Sequence, residues 1–338
     1  MKAMVLRAPR ELISDDVAQP RLGAGDVLVR VTHSGVCGTD LKIYNGSIPV
    51  SCPRIMGHEM IGEVVEGGDS GAFRPGDRVI IDPELYCGAC FHCRIGQTNL
   101  CENGKLVGRD VNGGFAEYLT APASHVFRLP DSISSRTAPM IQVLTTCLHA
   151  QRQINIFPGE SVAVLGLGVT GQLHVQLARA RGAGPVIGIT RSAEKRALAQ
   201  QLGADLTIPG GPGATERVRD ATEGRGADVI IETTGVMQSL ADAVTMARFG
   251  GRLLLFGIIT AKEGALPFYD LYFKELLLIN SRVAKSEDYP ASIALVERGM
   301  VRLEPLVSDV MPLAKLNEAI GMLGSDNGRR MKIILEHH

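Results

Sequence analysis

The 338-residue sequence predicts an α/β protein that has a β-rich domain and a second domain built on a doubly wound parallel sheet. Up to about Pro130, short β-rich runs alternate with turns that contain Gly and Pro. Between about Thr145 and Asn280, apolar strand candidates alternate with helical stretches, as a parallel sheet with crossover helices requires. A chain of this length usually exceeds what one hydrophobic core serves, so about two domains are expected.

The β-rich part is predicted to form a small all-β barrel. Residues 26–31 and 77–81 are typical strand runs, and Pro75, Gly76 and Asp77 form a turn signal at the start of the second run. Runs of this kind, separated by tight turns, are typical of a compact β domain.

The strands of the parallel sheet are predicted at 161–165, 185–189, 228–232, 252–256 and 276–279, with helices between them such as 171–181 and 193–202. After Asn280, the pattern predicts helices at 290–299 and near 314–324 and a final strand at 331–335, which we expect to return to the first domain. The predicted domains are therefore 1–144 with 284–338, which is discontinuous, and 145–283.

The charge of the chain excludes some classes of partner. Lys plus Arg number 35 and Asp plus Glu number 36, so a formal charge of −1 offers no footprint for nucleic acid or an anionic membrane. Trp is absent, which argues against base stacking. No uncharged apolar run approaches the ~18 residues of a membrane span. A small-molecule partner is therefore expected.

The N-terminal segment and the cysteines indicate where in the cell the protein is expected. The first twenty residues show no signal peptide, and clustered cysteines at metal spacing favour thiolate ligands over disulfides, so a cytoplasmic location is predicted. His337 and His338 look like the start of a purification tag, and we set them aside in predicting the sites.

Four cysteines in one short loop predict a structural zinc site. Cys87, Cys90, Cys93 and Cys101 have the spacing C-x2-C-x2-C-x7-C, which suits tetrahedral Zn²⁺ bound by four sulfurs at about 2.3 Å. All four positions are then filled, so no position remains for chemistry. The alternatives are disulfides, an iron–sulfur cluster, or a zinc ribbon that contacts nucleic acid.

A second cluster predicts a catalytic zinc site. Cys37 is followed, twenty-one residues later, by His58 and then Glu59, which together offer a thiolate, an imidazole and a carboxylate. Three such ligands with a fourth position left to water or substrate are what catalytic zinc needs. Taken alone, Cys37 would more often be a small buried hydrophobe and His58 a satisfied core histidine.

A glycine-rich fingerprint predicts a dinucleotide site. The strand 161–165 leads into Gly166-Leu167-Gly168-Val169-Thr170-Gly171, and a helical stretch follows. Strand before and helix after are the context that gives this motif its meaning, because the pyrophosphate then meets the helix N-terminus. We expect Gly166, Gly168, Thr170 and Gly171 to contact the coenzyme. The alternative is a tight turn without a ligand.

The end of the second predicted strand favours NADP(H) over NAD(H). NAD-binding folds place an acidic residue there for the ribose, whereas this chain has Thr190 followed by Arg191. Arg191 can pair with a 2′-phosphate, and Lys195 and Arg196 lie nearby in the sequence. The alternative is that Arg191 caps the start of a solvated helix in a weak NAD enzyme.

These motifs, in this order, resemble the zinc-dependent medium-chain dehydrogenase/reductase superfamily, in its alcohol and polyol dehydrogenase branch. The resemblance covers essentially the whole chain and also includes Gly113-Gly114-Phe115-Ala116-Glu117-Tyr118. It implies a GroES-like β-barrel catalytic domain joined to a Rossmann coenzyme domain. It further implies that Cys37 and His58 bind zinc, that Glu59 can enter or leave the zinc shell, and that Thr39 passes the alcohol proton outward.

Two residues depart from the pattern of the family. Relatives often have Cys, Asp or Glu for the zinc where this chain has Gln142, and a neutral amide is a poor ligand, so Gln142 is expected to hydrogen-bond the zinc water. The ligands would then be Cys37, His58 and Glu59, with a formal charge near zero that keeps zinc a useful Lewis acid. Lys42 stands where relatives often have a relay histidine, and its alternative is a solvated surface charge.

Further residues follow from the same resemblance. Thr146 would brace the nicotinamide, or simply pack within a helix. Thr234 and Gly257 lie in segments that follow predicted strands, where coenzyme-facing loops belong, although their neighbouring glycines suit ordinary turns. Ile48, Phe115 and Ile258 would line the substrate pocket. Relatives form dimers and tetramers, so a homo-oligomer is expected.

The predicted function is hydride transfer between a secondary alcohol or polyol, or its ketone or aldehyde, and NADP(H), with two zinc ions per chain. One alternative is a zinc-free quinone or enone reductase of the same superfamily, against which the thiolates argue. A second is a non-enzymatic protein that binds zinc and nucleotide, which would show no alcohol-dependent change in nicotinamide absorbance.

Overall fold

A computed structural model describes residues 1–67, 71–325, 328 and 330–337 of the chain. The chain divides into two compact units. We call the first the mixed-sheet unit; it comprises Met1–Thr145, Ala284–Arg298 and the chain from Leu303 onward. The second, the parallel-sheet unit, comprises Thr146–Val283 and Gly299–Arg302. No described helix is both long and apolar enough to cross a bilayer.

The mixed-sheet unit contains most of the strands. Up to Thr145 its strands are β1 Lys2–Ala8, β2 Glu11–Asp16, β3 Asp26–Val36, β4 Arg54–Ile55, β5 Glu59–Glu66, β6 Arg78–Ile81, β7 Glu84–Leu85, β8 Lys105–Leu106, β9 Tyr118–Pro122 and β10 Val126–Arg128. Its helices there are α1 Gly38–Tyr44, α2 Phe91–Arg94 and the start of α3 Met140–Ile154.

The parallel-sheet unit alternates strands and helices. In chain order they are β11 Val162–Leu165, α4 Val169–Ala180, β12 Val186–Ile189, α5 Ala193–Gln201, β13 Leu206–Ile208, α6 Ala214–Asp220, β14 Ala227–Glu232, α7 Met237–Met246, β15 Ala247–Leu255, α8 Phe268–Phe273 and β16 Leu277–Asn280. The chain then forms α9 Tyr289–Glu297, β17 Val307–Pro312, α10 Leu316–Gly324 and β18 Lys332–Glu336. Short 3₁₀ turns occur at Thr98–Leu100, Ala123–His125, Ser286–Asp288, Glu304–Leu306 and Leu313–Lys315.

The long strand β3 organises the mixed-sheet unit. It pairs antiparallel with β5, β9 and β18, and the main path of the sheet runs β10-β6-β5-β3-β18-β17. Alternate residues Val27, Val29 and Val31 are buried in one apolar cluster, because alternate side chains of a strand point to the same face. The C-terminal strand β18 therefore lies beside a strand from the first forty residues.

The parallel-sheet unit is doubly wound, as predicted. Its strand order is β13-β12-β11-β14-β15-β16, and every pairing is parallel. Val162 and Val164 pack on one face against residues of α3 and α4, whereas Ala163 and Leu165 pack on the other against α6 and α7. Helices thus cover both faces, which explains why these strands are continuous apolar runs. The predicted fold class is confirmed.

Some strands and helices were not predicted from the sequence. The edge strand β13 and the helices α6 and α8 were not predicted, because three to seven residues carry too little periodicity. The longer, amphipathic helix α7 was not predicted either. The strand predicted at 252–256 begins earlier, at Ala247.

His337, which we set aside in predicting the sites, packs into the mixed-sheet unit. Its ring is buried, with Nε2 2.8 Å from Ser34 Oγ and Nδ1 3.1 Å from the carbonyl of Ala116. The main-chain N–H of His337 donates to Thr32 O at 2.9 Å. This main-chain hydrogen bond extends the pairing of β18 with β3 by one residue beyond Glu336. His338 lies outside the described residues.

Candidate metal and coenzyme sites

The register of two strands brings the first set of predicted metal ligands together. Gly35 in β3 is paired with Glu59, the first residue of β5. Cys37 lies two residues after Gly35, at the N-cap of α1, and His58 immediately precedes Glu59. Pairing of Gly35 with Glu59 therefore brings the segment that contains Cys37 beside the segment that contains His58. The thiol and the imidazole lie close together as a result.

Cys37, His58 and Glu59 form a cluster whose geometry fits a metal ion. One ligand atom from each lies within 4.8 Å of the others, and His58 and Glu59 are buried. Donor atoms about 2.0–2.3 Å from zinc lie under about 4 Å apart, so small side-chain shifts would close the shell. A thiolate, an imidazole and a carboxylate are ligands that zinc accepts.

Asp40 orients His58, and the sequence reasoning missed it. The Asp40 carboxylate is fully buried, with Oδ2 accepting the Cys37 N–H at 2.9 Å and Oδ1 lying 3.4 Å from His58 Nδ1. His58 Nδ1 and Asp40 Oδ1 have no other hydrogen-bond partner among the described residues. A proton on Nδ1 facing Asp40 would leave Nε2 as the metal-binding nitrogen, the arrangement common to metal-bound histidines.

The electrostatics of this cluster favour a cation. Burial by itself disfavours a charged His58 ring, but Asp40 and Cys37 outweigh that cost, and the pKa of His58 is raised well above its usual value. The anions that would hold a proton on His58 are those that would attract a metal ion, which displaces such protons on binding.

Lys332 is the second residue that the sequence reasoning missed. Its Nζ lies 2.7 Å from both carboxylate oxygens of Glu59 and 3.3 Å from Val36 O, and both side chains of the pair are buried. Burial works against the charged amine, but attraction from Glu59 and Cys37 raises the pKa of Lys332. Glu59 is therefore shared between a lysine and the predicted metal position.

A close approach explains the glycine opposite Glu59. A Cβ at Gly35 would lie 2.1 Å from Glu59 Oε2 and 3.2 Å from Glu59 Cβ. Any larger residue at position 35 would push the carboxylate away from Lys332 and from the metal position. No local sequence signal predicted the contact of Glu59 with Lys332, because the two are 273 positions apart.

The net charge of the residues in this cluster would be balanced by a zinc ion. With His58 neutral, as a metal ligand must be, the Cys37 thiolate, Asp40 and Glu59 carry three negative charges, and among the described residues of this cluster Lys332 carries one positive charge, which leaves a net charge of −2. A divalent cation balances that charge. Asp40 and Lys332 cancel each other, so the near-zero charge expected from the sequence still holds.

The other predicted residues of this site have the following positions. Thr39 and Lys42 lie in α1, directly after Cys37, and both are half-buried. Gln142 is buried in the first turn of α3. Ile48 is half-buried and packs on the apolar core, whereas Phe115 is fully buried against Gly57. The roles of these residues in proton transfer and substrate binding stay predictions.

The four loop cysteines form a second cluster. The sulfurs of Cys87, Cys90, Cys93 and Cys101 lie within 4.8 Å of one another, and those of Cys90 and Cys101 are 3.8 Å apart. The edge of a tetrahedron with zinc–sulfur bonds of about 2.3 Å is about 3.8 Å long. The described cysteines form no disulfide. The geometry therefore fits tetrahedral zinc.

Backbone N–H groups prepare these sulfurs for a metal. The N–H groups of Ala89 and Cys90 lower the pKa of Cys87 to about 6. Desolvation and the adjacent thiols instead raise the pKa of Cys93 to about 12. Four thiolates side by side thus coexist only with a cation between them, which a zinc ion provides.

The fingerprint lies at the carboxyl end of β11, where ligands of doubly wound sheets bind. Gly166 follows the strand, and Gly168 is the N-cap of α4, whose first turn contains Thr170 and Gly171. The free N–H groups of this turn suit a pyrophosphate. Thr233, at the end of β14, donates its hydroxyl to Leu165 O at 2.9 Å and Gly166 O at 3.0 Å.

The loop after β12 carries the predicted 2′-phosphate residues. Thr190 follows the strand and Arg191 is exposed, whereas Arg196 donates to the carbonyls of both and so braces the loop. Ser192 caps α5 by accepting the N–H of Lys195. Its hydroxyl also donates to Glu194, an acidic residue that the sequence reasoning did not weigh.

The remaining predicted coenzyme residues belong to the parallel-sheet unit. Thr146 is half-buried in α3, at the point where the second unit begins. Thr234 and Gly257 follow the neighbouring strands β14 and β15, and Ile258 is exposed beside Gly257. Parallel pairing of these strands brings both loops to the same edge of the sheet as the fingerprint.

Comparison with known proteins gives two family matches. The family model described as the alcohol dehydrogenase GroES-like domain matches residues 23–131, and the model described as zinc-binding dehydrogenase matches residues 169–298.

Individual proteins match the chain over almost its whole length. A NAD-dependent alcohol dehydrogenase of Sulfolobus acidocaldarius is 34% identical over 98% of this chain and 99% of its own length. A sorbitol dehydrogenase of Bacillus subtilis is 32% identical over 95% of this chain and 92% of its own. The structure of a protein from Sinorhizobium meliloti 1021 bound to NADP has a TM-score of 0.92 at 32% identity and covers 99% of this chain and 98% of that one.

Replacing Cys101 by Ser is expected to remove one zinc per chain and to lower Tm by about 10 °C or more. Structural zinc contributes several kcal/mol, and each kcal/mol corresponds to about 2–4 °C in domains of this size. Metal analysis and thermal unfolding measure both effects. Cys52→Ser is the matched control, since Cys52 is exposed and belongs to neither cluster. Unchanged zinc content and Tm in Cys101→Ser would remove the structural assignment.

Proposed function

Because this chain belongs to the zinc-dependent medium-chain dehydrogenase/reductase superfamily, in its alcohol and polyol dehydrogenase branch, we propose that it oxidises a secondary alcohol or polyol with NADP⁺, or runs the reverse reduction. It is an oxidoreductase that acts on CH–OH groups with a nicotinamide coenzyme. The cluster of Cys37, His58 and Glu59, in a chain with the Gly166 fingerprint, is the observation that carries the proposal.

The reaction balances as the loss of a hydride and a proton from the alcohol. The carbinol C–H bond breaks with its electron pair going to the nicotinamide ring, while the O–H proton leaves and a carbonyl forms. When bound, zinc supplies a Lewis acid for the alcohol oxygen, and the coenzyme supplies the hydride acceptor. The protein itself supplies orientation, charge and a path for the proton.

The residues around the metal position would divide this work. Cys37 and His58 hold the ion, and Asp40 keeps the imidazole in the tautomer and direction that binding needs. Glu59 is the third ligand, and Lys332 competes for it, so the strength of that ligand depends on the lysine. Gln142, in this proposal, hydrogen-bonds the water or substrate rather than the metal.

The proton would leave through α1. Thr39 has a hydroxyl that both accepts and donates, and it lies two residues after Cys37, so it can pass a proton outward. Lys42, one helical turn further along, is half-buried and is proposed to sit at the outer end of this route, where its positive charge favours release of the proton.

Two zinc ions per chain are proposed. The second belongs to Cys87, Cys90, Cys93 and Cys101, supported by the 3.8 Å spacing of two of the sulfurs and by the N–H groups directed at them. The walls proposed for the substrate are Ile48, Phe115 and Ile258. The cytoplasmic location inferred from the thiolates stays a prediction.

A preference for NADP(H) is supported by the loop after β12. Position 190 is a threonine, not an acid, and the exposed Arg191 offers a planar guanidinium to a 2′-phosphate. One similar structure contains NADP, whereas the name of one similar enzyme specifies NAD. Glu194 adds a negative charge close to Ser192, which would weaken the preference.

Replacing Arg191 by Ala is expected to lower kcat/KM for NADPH by about tenfold or more and to leave kcat/KM for NADH nearly unchanged. A hydrogen bond to a charged phosphate is worth about 1.5–3 kcal/mol, and only NADPH has the 2′-phosphate. The two constants are measured from initial rates at 340 nm. Arg225→Ala, an exposed arginine of the same unit, is the control. A wild-type ratio of kcat/KM for NADPH over NADH below one would mean that the coenzyme preference is wrong.

A homo-oligomer is supported by an aromatic edge on the parallel-sheet unit. Strand β16 lies at the edge of the sheet with Leu277 exposed, and the adjoining helix α8 exposes Phe268, Tyr269 and Tyr272, the last at 79%. An apolar edge strand beside exposed aromatic rings is costly in water and suits a second copy of the same surface.

Replacing Leu277 by Lys is therefore expected to convert the oligomer to a smaller species, because a charged side chain on an edge strand opposes strand pairing. Light scattering after size exclusion gives the mass of each species. Leu206→Lys, on the opposite edge strand β13, is the control and is expected to leave the mass unchanged. A wild-type monomer would contradict the proposed assembly.

Replacing Cys37 by Ser is expected to lower kcat/KM for alcohol oxidation by roughly a thousandfold or more, with little change in Tm. The substitution removes a thiolate ligand of the catalytic metal, whose Lewis acidity is worth several kcal/mol. A panel of alcohols and polyols with both coenzymes identifies the substrate for the assay. Cys52→Ser again serves as control. Equal activity of Cys37→Ser and the wild type would remove the catalytic assignment.

A further inference from the structure

Glu232 is a buried carboxylate at the carboxyl end of β14, and nothing in the metal site explains it. Its side chain is 1% exposed. Oε1 accepts the N–H of Thr234 at 2.7 Å and the hydroxyl of Thr234, and Oε2 accepts the N–H of Gly235 at 3.1 Å. Its main-chain carbonyl accepts the N–H groups of Phe256 and Gly257 at 2.9 Å each. One residue thus holds the loop after β14 and the loop after β15.

These two loops and the fingerprint turn touch one another. A Cβ at Gly257 would lie 2.2 Å from the nitrogen of Gly235 and 2.7 Å from Glu232 Oε2. A Cβ at Gly166 would lie 2.7 Å from Thr233 Oγ1 and 2.8 Å from Thr234 Cγ2. The three turns leave no room for each other to move independently, and the carboxylate of Glu232 lies among them.

We propose that Glu232 is a positioning residue for the nicotinamide coenzyme, acting through the main chain of Thr234, Gly235 and Gly257. The inference rests on the proposed function, since it needs the coenzyme at the carboxyl edge of the parallel sheet. Glu232 itself does not touch the coenzyme. It sets the direction in which the 233–235 turn and the 256–258 turn present their N–H and C=O groups.

The chemistry of the site requires a carboxylate. The partners of the Glu232 side chain are two main-chain N–H groups, which can only donate, and the Thr234 hydroxyl. The N–H of Gly235 lies 3.1 Å from Oε2 and 3.2 Å from Oε1 of Glu232. In an amide of the same size, an NH₂ group at the Oε1 position would face the N–H of Thr234, and an NH₂ group at the Oε2 position would leave the N–H of Gly235 only its longer contact, so one buried hydrogen bond would be lost or weakened in either orientation. The turn would then relax away from its present shape.

The experiment compares Glu232→Gln with the wild-type enzyme loaded with zinc. Fluorescence titration gives Kd for NADPH and NADH, and steady-state rates give kcat and KM for the alcohol. We expect Kd for both coenzymes to rise about tenfold or more, because the two turns lose the charged acceptor that holds their main-chain groups in the arrangement proposed to bind the coenzyme. The KM for alcohol and the zinc content should change less than about threefold.

Asp228→Asn is the matched control. Asp228 lies at the opposite end of the same strand, where its carboxylate accepts from Ser161 N at 2.9 Å and from Arg248 Nε at 2.6 Å. Both substitutions remove a charged acceptor from β14, so both should lower Tm. Only Glu232→Gln should raise Kd for the coenzymes. An equal rise in Asp228→Asn would show general loosening of the sheet and would overturn the proposed role.

Glu232→Asp covers the case in which Glu232→Gln does not fold. Its shorter carboxylate keeps the charge but reaches fewer donors, so an intermediate rise in Kd is expected. An unchanged Kd in either folded variant overturns the positioning role and leaves the proposed function intact. A wild-type chain that binds neither coenzyme overturns the function, and the role of Glu232 with it.

Discussion

The pairing of β3 with β5 is the constraint on which the proposed metal site depends. Gly35 opposite Glu59 places the end of one strand, with Cys37, beside the start of the next, with His58. The absence of a side chain at Gly35 lets the Glu59 carboxylate cross the strand to Lys332. Because a strand pair has a side-chain period of two, a slip by one residue would turn these ligands to the other face.

The buried charges of this site stabilise one another fully only when all of them are present. Removing charges from water is costly, and Glu59 with Lys332 or Asp40 with His58 repay that cost only partly in the low-dielectric interior. A divalent ion beside Cys37 completes the balance. The net negative charge of the cluster thus favours a divalent cation. The thiolate of Cys37 further favours a metal such as zinc over one that prefers oxygen ligands. In the parallel-sheet unit, the carboxylate of Glu232 fixes main-chain N–H groups of the turn that follows β14, and these groups are the same whatever side chain a residue carries.

Much of this could be read from local patterns. The doubly wound sheet followed from apolar runs such as 161–165 alternating with helical stretches, since strands buried on both faces must be apolar throughout. The four loop cysteines were recognisable because their ligand spacing is short, and short loops leave few geometries. Weak elements such as β13 and α8 were missed, because three to six residues carry too little periodicity to be distinguished from a loop. Asp40 lies only three residues after Cys37, yet its role depends on where His58 lies in the folded chain.

The sequence by itself determined the classes of ligand, namely thiolates at metal spacing and a glycine-rich turn between a strand and a helix. These signals come from residues that are close together in the chain, so they can be recognised from the sequence without the structure. Only the tertiary structure decided which charges accompany them: Lys332 reaches Glu59 across 273 positions, and the C-terminal strand β18 must lie beside β3 before that ion pair exists. Likewise, the role proposed for Glu232 depends on the parallel pairing that brings the carboxyl ends of β11, β14 and β15 to one edge of the sheet. Contacts between distant segments depend on strand register and topology, which local residue patterns do not encode.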